Sequence, residues 1–447
     1  MKQTTSYKVQ IMGRLNQDGK PLALPKKAFR TTRKICSEVL GFYISVAEQE
    51  YDGWKDLKSN ECTNFFERLT HHTAQNPNPK YNDFDSRFPK LPSGIRRSAI
   101  HEATGIFQAW KSSHDEWLKS GAKKGEPKLS KKHFWNPTLY RCKESSDGGE
   151  IEFVNDTACF AMKIFIDNDW QWVMLSLREK DLRSVSRKCW NRVMQNPAFV
   201  KKGNRYFITF VFEENVELSD ANFEETIVCA VDLGITTDAV CSIIDFSGTV
   251  QARKFIDASY EKDQRNHICN RIRGNQRVKR SVRKLWAFAD NFNKAASIKT
   301  ARQIVAFARK HNADVIVFEN LDGKGKKPYG IGQKATLWRH KDIVKRCTDM
   351  AHSHGMHIST VCPIKTSRLA YDGSGEVKRG WEISQGTAYD ICVFQNGKTY
   401  NCDLSASYNI GARYFVRLFR QKHPSAVLPK ASEVTLSTLW NINALSA

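Results

Sequence analysis

The stretch that decides the fold reads Thr226-Ile-Val-Cys-Ala-Val-Asp232-Leu-Gly-Ile-Thr-Thr237, an apolar run that ends in an acid. A second run of the same kind, Asp314-Val-Ile-Val-Phe-Glu319-Asn-Leu321, also ends in an acid. Short apolar runs rich in Val and Ile are typical of buried strands. The sequence therefore predicts two buried strands, each with a carboxylate at its tip.

A third acid, Asp403, precedes the helix-like stretch Leu404-Ser-Ala-Ser-Tyr-Asn-Ile-Gly-Ala412. A carboxylate at the tip of a buried strand is unfavourable unless a cation compensates it. Magnesium takes oxygen ligands, and two such ions about 4 Å apart can hold both the attacking water and the leaving oxygen of a phosphodiester. We therefore predict that Asp232, Glu319 and Asp403 are catalytic ligands of two Mg²⁺ ions, for which Mn²⁺ can substitute.

Each of these acids also has a simpler interpretation. Asp232 could form a turn at a strand end, Glu319 could lie at a helix N-terminus, and Asp403 could be an N-cap. For any single acid the simpler interpretation is preferable. Three of them in one basic chain favour a metal site.

The composition points to a polyanionic partner. The 447 residues include 70 Lys and Arg against 47 Asp and Glu, a net charge of +23. Such an excess adds self-repulsion to the folded state, so it favours nucleic acid binding over an incidentally basic surface. Hydrophobic residues make up 40% of the chain, which excludes broad disorder.

Membrane and secretory classes are not expected. No apolar run reaches the roughly 18 residues of a membrane span, and Met1–Tyr7 lacks the apolar core of a signal peptide. We expect a protein of the prokaryotic cytoplasm, associated with the nucleoid when bound to its target. None of the twelve cysteines forms a Cys-x-x-Cys pair, so most should be free thiols.

The N-terminal half predicts a small β domain interrupted by helices. Helices are predicted after Pro25 and over Ile95–Leu118, and Pro77–Pro92 reads as a loop. The predicted strands, of which the first should pair with the later sheet, are Tyr7–Gly13, Phe160–Ile166, Trp172–Leu177 and Tyr206–Phe212.

The C-terminal half predicts an α/β domain. Strands Ile227–Asp232, Ala239–Asp245 and Val250–Phe255 read as an antiparallel meander. Helix, strand, helix and strand follow, over Ile298–Lys310, Val315–Phe318, Leu337–His354 and His357–Val361. This succession is that of a ribonuclease-H-like fold, and the three acids fall where that fold carries its metal ligands.

These residues carry a resemblance to a known family. Thr226–Arg420 resembles the RuvC nuclease domain of transposon-encoded TnpB proteins and of the related miniature type V CRISPR effectors. The matching motifs, in chain order, are Val231-Asp232-Leu-Gly-Ile235, Phe318-Glu319-Asn-Leu321, the lysine-rich loop Lys324–Lys327 with Trp338, Pro363-Ile-Lys-Thr366-Ser367 and Asp403-Leu-Ser-Ala-Ser-Tyr-Asn409-Ile410. Each motif alone is weak, and their order makes the resemblance specific.

The chain departs from this family at the zinc ribbon. The family has two Cys-x-x-Cys pairs between the Thr-Ser motif and the last Asp, whereas here Cys362, Cys392 and Cys402 lack that spacing. Zinc thiolate sites need four ligands in tetrahedral reach. We therefore expect no zinc and a small metal-free β insert, held together by Trp381, Tyr389 and Phe394.

The resulting fold prediction is an α+β multidomain protein. It has a wedge-like N-terminal β domain with an inserted helical recognition domain, followed by a RuvC-like, ribonuclease-H-like nuclease domain. The predicted boundaries are 1–20 and 141–215 for the β domain, 21–140 for the helical domain, 216–226 for a linker, 227–365 and 403–420 for the nuclease domain, 366–402 for the degenerate target-nucleic-acid-binding insert, and 421–447 for a tail.

Two basic segments are candidates for nucleic acid contacts. The connector Lys119–Trp135 mixes cations with rings that could stack on bases, although a solvated loop would have the same composition. Arg271–Lys284 could be a solvated helix face, but in this chain we expect it to line a nucleic acid channel. The predicted contacts are Lys123, Lys124, Lys131, Lys132, Trp135, Arg271, Arg273, Arg277, Lys279, Arg280, Arg283, Lys284, Lys324, Lys326 and Lys327.

The resemblance implies an RNA-guided DNA endonuclease. Its partners would be a structured guide RNA and double-stranded target DNA with a short adjacent motif, bound by a monomer or by a homodimer on one RNA. Asp232 would bridge both ions, while Glu319 and Asp403 would each complete one coordination sphere. The alternatives are a nuclease-dead RNA-guided DNA-binding protein, such as a repressor, and a DNA-cutting protein that uses no guide.

The missing cysteine pairs lead to a first prediction. The purified protein should hold no stoichiometric zinc by elemental analysis, and a zinc chelator should leave its folding unchanged. One tightly bound zinc per chain would contradict this and would mean that Cys362, Cys392 and Cys402 converge with a histidine.

Overall fold

The protein is described here by a computed structural model, which covers residues 1–16, 18–122, 125–133, 135–139, 148–154, 157–189, 192–321 and 339–446. Two compact units divide the chain between Glu214 and Asn215. The N-terminal unit is Lys2–Glu214, and the C-terminal unit is Asn215–Ala447 together with Met1.

A seven-stranded sheet organises the N-terminal unit. Its strands are β1 (Lys2–Leu15), β2 (Pro21–Leu22), β3 (Gly148–Val154), β4 (Thr157–Ile166), β5 (Asp169–Leu177), β6 (Val193–Lys202) and β7 (Arg205–Asn215). They lie in the order β3-β4-β5-β1-β7-β6, with β2 on β1. The predicted pairing of the first strand with the later sheet is confirmed, since Ile11 lies opposite Leu177.

Strand β6 was not predicted from the sequence. It lies at the end of the strand order, and its register on β7 shifts between Gln195 and Ala198, where Pro197 falls. Proline in a sheet is confined to edge strands and bulges, which is how this segment accommodates it. A hairpin turn at Gly203-Asn204 joins β6 to β7, where Lys202 pairs with Arg205.

Helices form a second core in this unit. They are α1 (Lys26–Gln49), α2 (Tyr51–Trp54), α3 (Ser59–Thr70), α4 (Phe84–Arg87) and α5 (Ser93–Lys119), whereas α6 (Glu179–Cys189) packs in the core of the sheet. Tyr43 and Phe84 lie in this helical core, and Trp135 packs into it as well. The short helix α4 lies inside the predicted loop Pro77–Pro92, because burial of Phe84 outweighs the local preference of a Pro- and Asn-rich segment.

A five-stranded sheet organises the C-terminal unit. It contains β8 (Val228–Asp232), β9 (Ala239–Ile244), β10 (Val250–Ile256), β11 (Val315–Glu319) and β12 (His357–Val361), in the order β10-β9-β8-β11-β12. The first three strands are antiparallel neighbours, and β11 pairs in parallel with both β8 and β12. The predicted meander and the order of the later strands are therefore confirmed.

Helices cover both faces of this sheet. They are α7 (Ser259–Arg277), α8 (Arg283–Lys310), α9 (His340–His352), α10 (Cys402–Lys422) and α11 (Leu436–Ser446). Helices α8 and α9 pack on the face that carries Val231 and Phe318, and α10 and α11 on the face that carries Ala230 and Val317. Burial on both faces explains why β8 and β11 read as continuous apolar runs. No described helix is both long and apolar enough to cross a membrane.

Two expectations for this unit were wrong. The basic stretch Arg271–Lys284 is not one helix, since α7 ends at Arg277 and α8 begins at Arg283. Residues 421–447 are more than a tail, because Leu436 and Leu439 of α11 are buried in the core under α10. The apolar residues of α11 therefore pack against α10.

The segment before Asp403 forms a small three-stranded sheet. Its strands are β13 (Lys378–Arg379), β14 (Ile391–Val393) and β15 (Thr399–Asn401), with a 3₁₀ turn over Gly380–Glu382. Phe394 is 2% exposed and anchors its core, as predicted. Trp381 and Tyr389 are 73% and 59% exposed, so the expectation that they hold the insert together was wrong.

The cysteines of this small sheet are buried free thiols. Cys392 donates to the Tyr400 carbonyl at 3.4 Å, and Cys402 donates to the Ser367 carbonyl at 3.1 Å. Both thiols therefore satisfy backbone acceptors while they fill the core beside Phe394.

This packing predicts opposite outcomes for two aromatic truncations. Phe394→Ala should open the small sheet, with a loss of about 3 kcal/mol in its local free energy of unfolding, because a fully buried ring is removed. Trp381→Ala should change that free energy by less than about 0.5 kcal/mol. Hydrogen exchange of the β14 and β15 amides measures both, and equal effects would contradict the assignment of Phe394 as the anchor.

Candidate active site

The strand register brings the first two acids to one edge of the sheet. Val231 lies opposite Phe318 in the parallel pair β8–β11, so Asp232 and Glu319 follow at the carboxyl ends of adjacent strands. Clefts outside the carboxyl ends of parallel strands are where open α/β sheets bind ligands. The two carboxylates are thus neighbours because of backbone pairing, before any side-chain contact is considered.

Helix α10 delivers the third acid. The Asn401 side chain accepts a hydrogen bond from the Leu404 amide at 2.9 Å, so the N-cap of this helix is Asn401 and not Asp403. Gly411 allows the helix to lie close on β8 and β9, since a Cβ there would come within 2.7 Å of the Ile244 Cδ1. A buried hydrogen bond of 2.5 Å between Ser242 and Ser407 ties the same helix to β9.

The three carboxylates are half-buried and interact electrostatically. Burial raises the pKa of Asp232 well above its usual range, and the neighbouring charges of Glu319 and Asp403 raise it further. Burial also raises the pKa of Glu319 and that of Asp403. The structure therefore brings together all three acids that the sequence singled out.

A loop after β12 positions Glu319. The Thr366 hydroxyl donates a hydrogen bond to the Glu319 carboxylate, and the Thr366 carbonyl accepts one from Asn409 of α10 at 3.0 Å. Arg413 of the same helix binds the carbonyls of Cys362 at 2.6 Å and Ile364 at 2.8 Å. Thr366 and Asn409 belong to motifs seen in the sequence, but their contribution to the site was not predicted.

Arg379 is a second residue that the sequence analysis missed. Its guanidinium lowers the pKa of Asp232 and that of Asp403, so its charge is close to both carboxylates. It donates to the Tyr389 carbonyl at 3.1 Å and lies over the Tyr389 ring at 4.7 Å, while its Nε has no partner among the described residues. Nothing in the local pattern distinguishes this arginine from Lys378 beside it.

The donor set suits a hard divalent cation. Asp232, Glu319, Asp403 and the Thr366 hydroxyl are all oxygen donors, the ligand type that magnesium prefers. Burial raises the pKa of all three carboxyl groups, and a bound cation would favour their charged forms. Within the described ranges, however, no three His, Cys, Asp or Glu side chains are grouped closely enough to hold a metal ion as they stand. Ion binding would therefore require the carboxylates to turn toward one another.

The predicted nucleic acid contacts fall into three groups. The predicted contacts around the α7–α8 break are all exposed, namely Arg271, Arg273, Arg277, Lys279, Arg280, Arg283 and Lys284. Lys131 and Lys132 are exposed in the N-terminal unit. Trp135 is only 6% exposed, so the expectation that its ring stacks on bases was wrong. Lys123, Lys124, Lys324, Lys326 and Lys327 lie outside the described residues, as do Phe134 and Trp338.

Comparison with known sequences identifies two relatives in Aquifex aeolicus (strain VF5). A TnpB-like protein, aq_aa05, is 23% identical over 236 residues, which cover 48% of this chain and 76% of the relative. An uncharacterized protein, aq_aa04, is 33% identical over 98 residues, which cover 22% of this chain and 52% of the relative. A model of the Aq_aa04 family matches residues 18–158.

Comparison with solved structures supports the fold. The cryo-EM structure of a Cas12f1–sgRNA–target DNA complex matches with a TM-score of 0.55 at 13% identity, over 95% of this chain and 84% of that chain. Together these similarities confirm the resemblance to TnpB-like proteins that the motifs indicate, and the Cas12f1 chain shares the fold of this chain. They also confirm a mixed helix-and-strand multidomain fold.

The like charges of the site predict an effect on stability. A carboxyl whose pKa is raised by folding contributes its stability below the unfolded pKa near 4, and that contribution is lost as the pH rises through the folded pKa. At pH 7.5 without divalent ions, Asp232→Asn should therefore raise the melting temperature, by about 2–4 °C for each kcal/mol recovered.

The matched control is Asp263→Asn, which neutralises an exposed acid on α7. It should leave the melting temperature unchanged. Added Mg²⁺ should stabilise the parent chain and the control but not Asp232→Asn. Equal stabilisation of all three proteins would mean that Asp232 is not part of a metal site.

Proposed function

We propose that this chain, a relative of TnpB-like and Cas12f proteins, is an RNA-guided endonuclease that cuts DNA by metal-dependent hydrolysis. One observation carries the proposal. Asp232, Glu319 and Asp403 come from two adjacent strand ends and a helix start, and the pKa of Asp232 is raised first by burial and then by the charges of the other two. A fold rarely retains such repulsion in a half-buried space unless a cation is meant to relieve it.

The ions would be held by Asp232, Glu319 and Asp403, with Asp232 shared between them. Two Mg²⁺ ions would supply activation of water and stabilisation of the leaving oxygen. The Thr366 hydroxyl donates a hydrogen bond to the Glu319 carboxylate and would help to orient it as the carboxylates turn toward an ion. Arg379 adds a positive charge beside two of the acids, where a DNA phosphate would approach.

The partners follow from the charge of the chain and from the nature of its relatives. A guide RNA would select the target by base pairing, while the protein recognises a short adjacent duplex motif and the shape of the heteroduplex. The exposed cations around the α7–α8 break, Arg271 to Lys284, would contact phosphates. The assembly would be a monomer or a homodimer on one RNA.

A second candidate is an RNA-guided DNA-binding protein that does not cut. It is favoured by one observation: the described side chains contain no ready-made group of three metal ligands. Such a protein would block transcription by occupying its target. The two candidates share every nucleic acid contact and differ only in what Asp232, Glu319 and Asp403 do.

Substitution of Asp232 distinguishes them. The chain purified with its associated RNA should cut a matched DNA target in Mg²⁺, and Asp232→Ala should reduce cutting by at least about 10³-fold. Target affinity should change by less than about threefold, because the substitution removes a charge from the metal site and none from the binding surfaces. Cleavage assays and equilibrium binding on the same samples measure both quantities.

The control is Asp263→Ala, which removes an exposed acid of α7. It should cut like the parent chain. Undiminished cutting by Asp232→Ala would refute the metal assignment. Tight target binding by the parent chain with no cutting in Mg²⁺ or Mn²⁺ would favour the second candidate.

A further inference from the structure

We propose that a cleft along α1 in the N-terminal unit binds an unpaired segment of RNA. The cleft has a volume of about 870 Å³ and is lined by α1, by the segment around Tyr81 and Arg87, by Lys131–His133 and by Lys201. The proposal rests on the proposed function and extends it, since it names the surface that would hold the single-stranded part of the guide.

The cleft exists because the connector lies along α1. A Cβ at Gly41 would come within 2.6 Å of the Lys131 carbonyl oxygen, so this helix position must be glycine for the connector to approach. Lys131 also pairs with Glu48 at 2.8 Å, and Arg33 donates to the Trp135 carbonyl at 3.5 Å. These contacts hold Lys131 and Trp135 of the connector against the helix.

The rim of the cleft is strongly basic. Seven cations line it, against the two acids Glu38 and Asp83. The seven are Arg30, Arg33, Lys34, Arg87, Lys131, Lys132 and Lys201. Arg33 keeps a buried Nε without a hydrogen-bond partner among the described residues. A polyanion would satisfy this excess of donors and of charge.

One wall of the cleft is aromatic. Phe42 and Tyr81 line it, and the Arg87 guanidinium lies 5.4 Å from the centre of the Phe42 ring. Aromatic rings and guanidinium planes are the surfaces on which unpaired bases stack. The bases of a duplex are stacked on one another and cannot stack on this wall. Aromatic rings beside cations therefore favour a single strand.

The length of the cleft favours a strand over a free nucleotide. Its residues on α1 run from Arg30 to Gln49, which is about 28 Å at 1.5 Å per residue. That is room for at most roughly eight nucleotides at the 3.4 Å stacked spacing. Glu38 pairs with Lys34 at 3.7 Å and Asp83 with Arg87 at 3.4 Å, which weakens their repulsion of phosphates. Their oxygens can also accept hydrogen bonds from 2′-hydroxyl groups. The proposed occupant is therefore RNA.

Lysine acetylation footprinting of the full chain, freed of RNA at high salt, tests this directly. A ten-residue oligouridylate should protect Lys34, Lys132 and Lys201 several-fold, as read by mass spectrometry. Lys27, on α1 but outside the cleft, and Lys180 are exposed controls whose modification should not change. Oligothymidylate, duplex RNA of the same length and uridine monophosphate should protect the cleft lysines less.

Substitutions give an independent readout. The double variant Lys34→Ala/Lys132→Ala should reduce the slope of log K against log salt for oligouridylate by about 1.4, or 0.7 per lost contact. Lys27→Ala/Lys180→Ala should not change it. Gly41→Ala should displace the connector and weaken protection of Lys132, whereas Gly105→Ala, which meets no atom within 4 Å, should not.

Equal protection by duplex RNA, oligothymidylate or the mononucleotide would overturn the proposal, as would equal modification of cleft and control lysines. Cleavage of matched DNA by the Lys34→Ala/Lys132→Ala variant, with an unchanged salt slope, would refute the cleft and leave the proposed function intact. A parent chain that binds neither RNA nor DNA would refute both.

Discussion

Three carboxylates that share a half-buried space at neutral pH repel one another, and the C-terminal unit is built around this constraint. Parallel pairing of β8 with β11 sets two of the acids side by side. Close packing of α10, permitted by Gly411, adds the third. Each contact that assembles the site therefore raises its electrostatic energy. Burial of the apolar layers on both faces of the sheet supplies the free energy that offsets this repulsion.

Helix α10 connects the acids to their supporting loop. It carries Asp403 in its first turn, Asn409 six residues later, and Arg413 about one turn after Asn409. Asn409 and Arg413 bind carbonyls of the loop that presents Thr366 to Glu319. A shift of this one helix would move Asp403 and the hydroxyl that orients Glu319 together, so α10 couples the positions of two of the three acids.

The sequence predicted those parts of the fold that depend on local pattern. The strands β8 and β11 and their acids were visible, because burial on both faces leaves an uninterrupted apolar run with a single polar end. Strand β12 and Asp403 were recognised from their place in the succession of elements. Trp135 was expected on a binding surface but is buried, and Trp381 was expected in a core but is exposed. The residue type alone does not decide between these two environments, because a large ring occurs in both. The break between α7 and α8 and the approach of Arg379 to the acids depend on tertiary contacts that no short window of sequence contains.

The last described helix has a consequence for the order of events during synthesis. Leu436 and Leu439 fill the core beneath α10, and Arg413 binds the carbonyls of Ser432 and Val434. Helix α10 therefore lacks part of its packing until these residues have emerged from the ribosome. The N-terminal unit can fold as soon as its own sheet is complete. A nascent chain would thus complete the proposed RNA cleft well before it completes the proposed metal site.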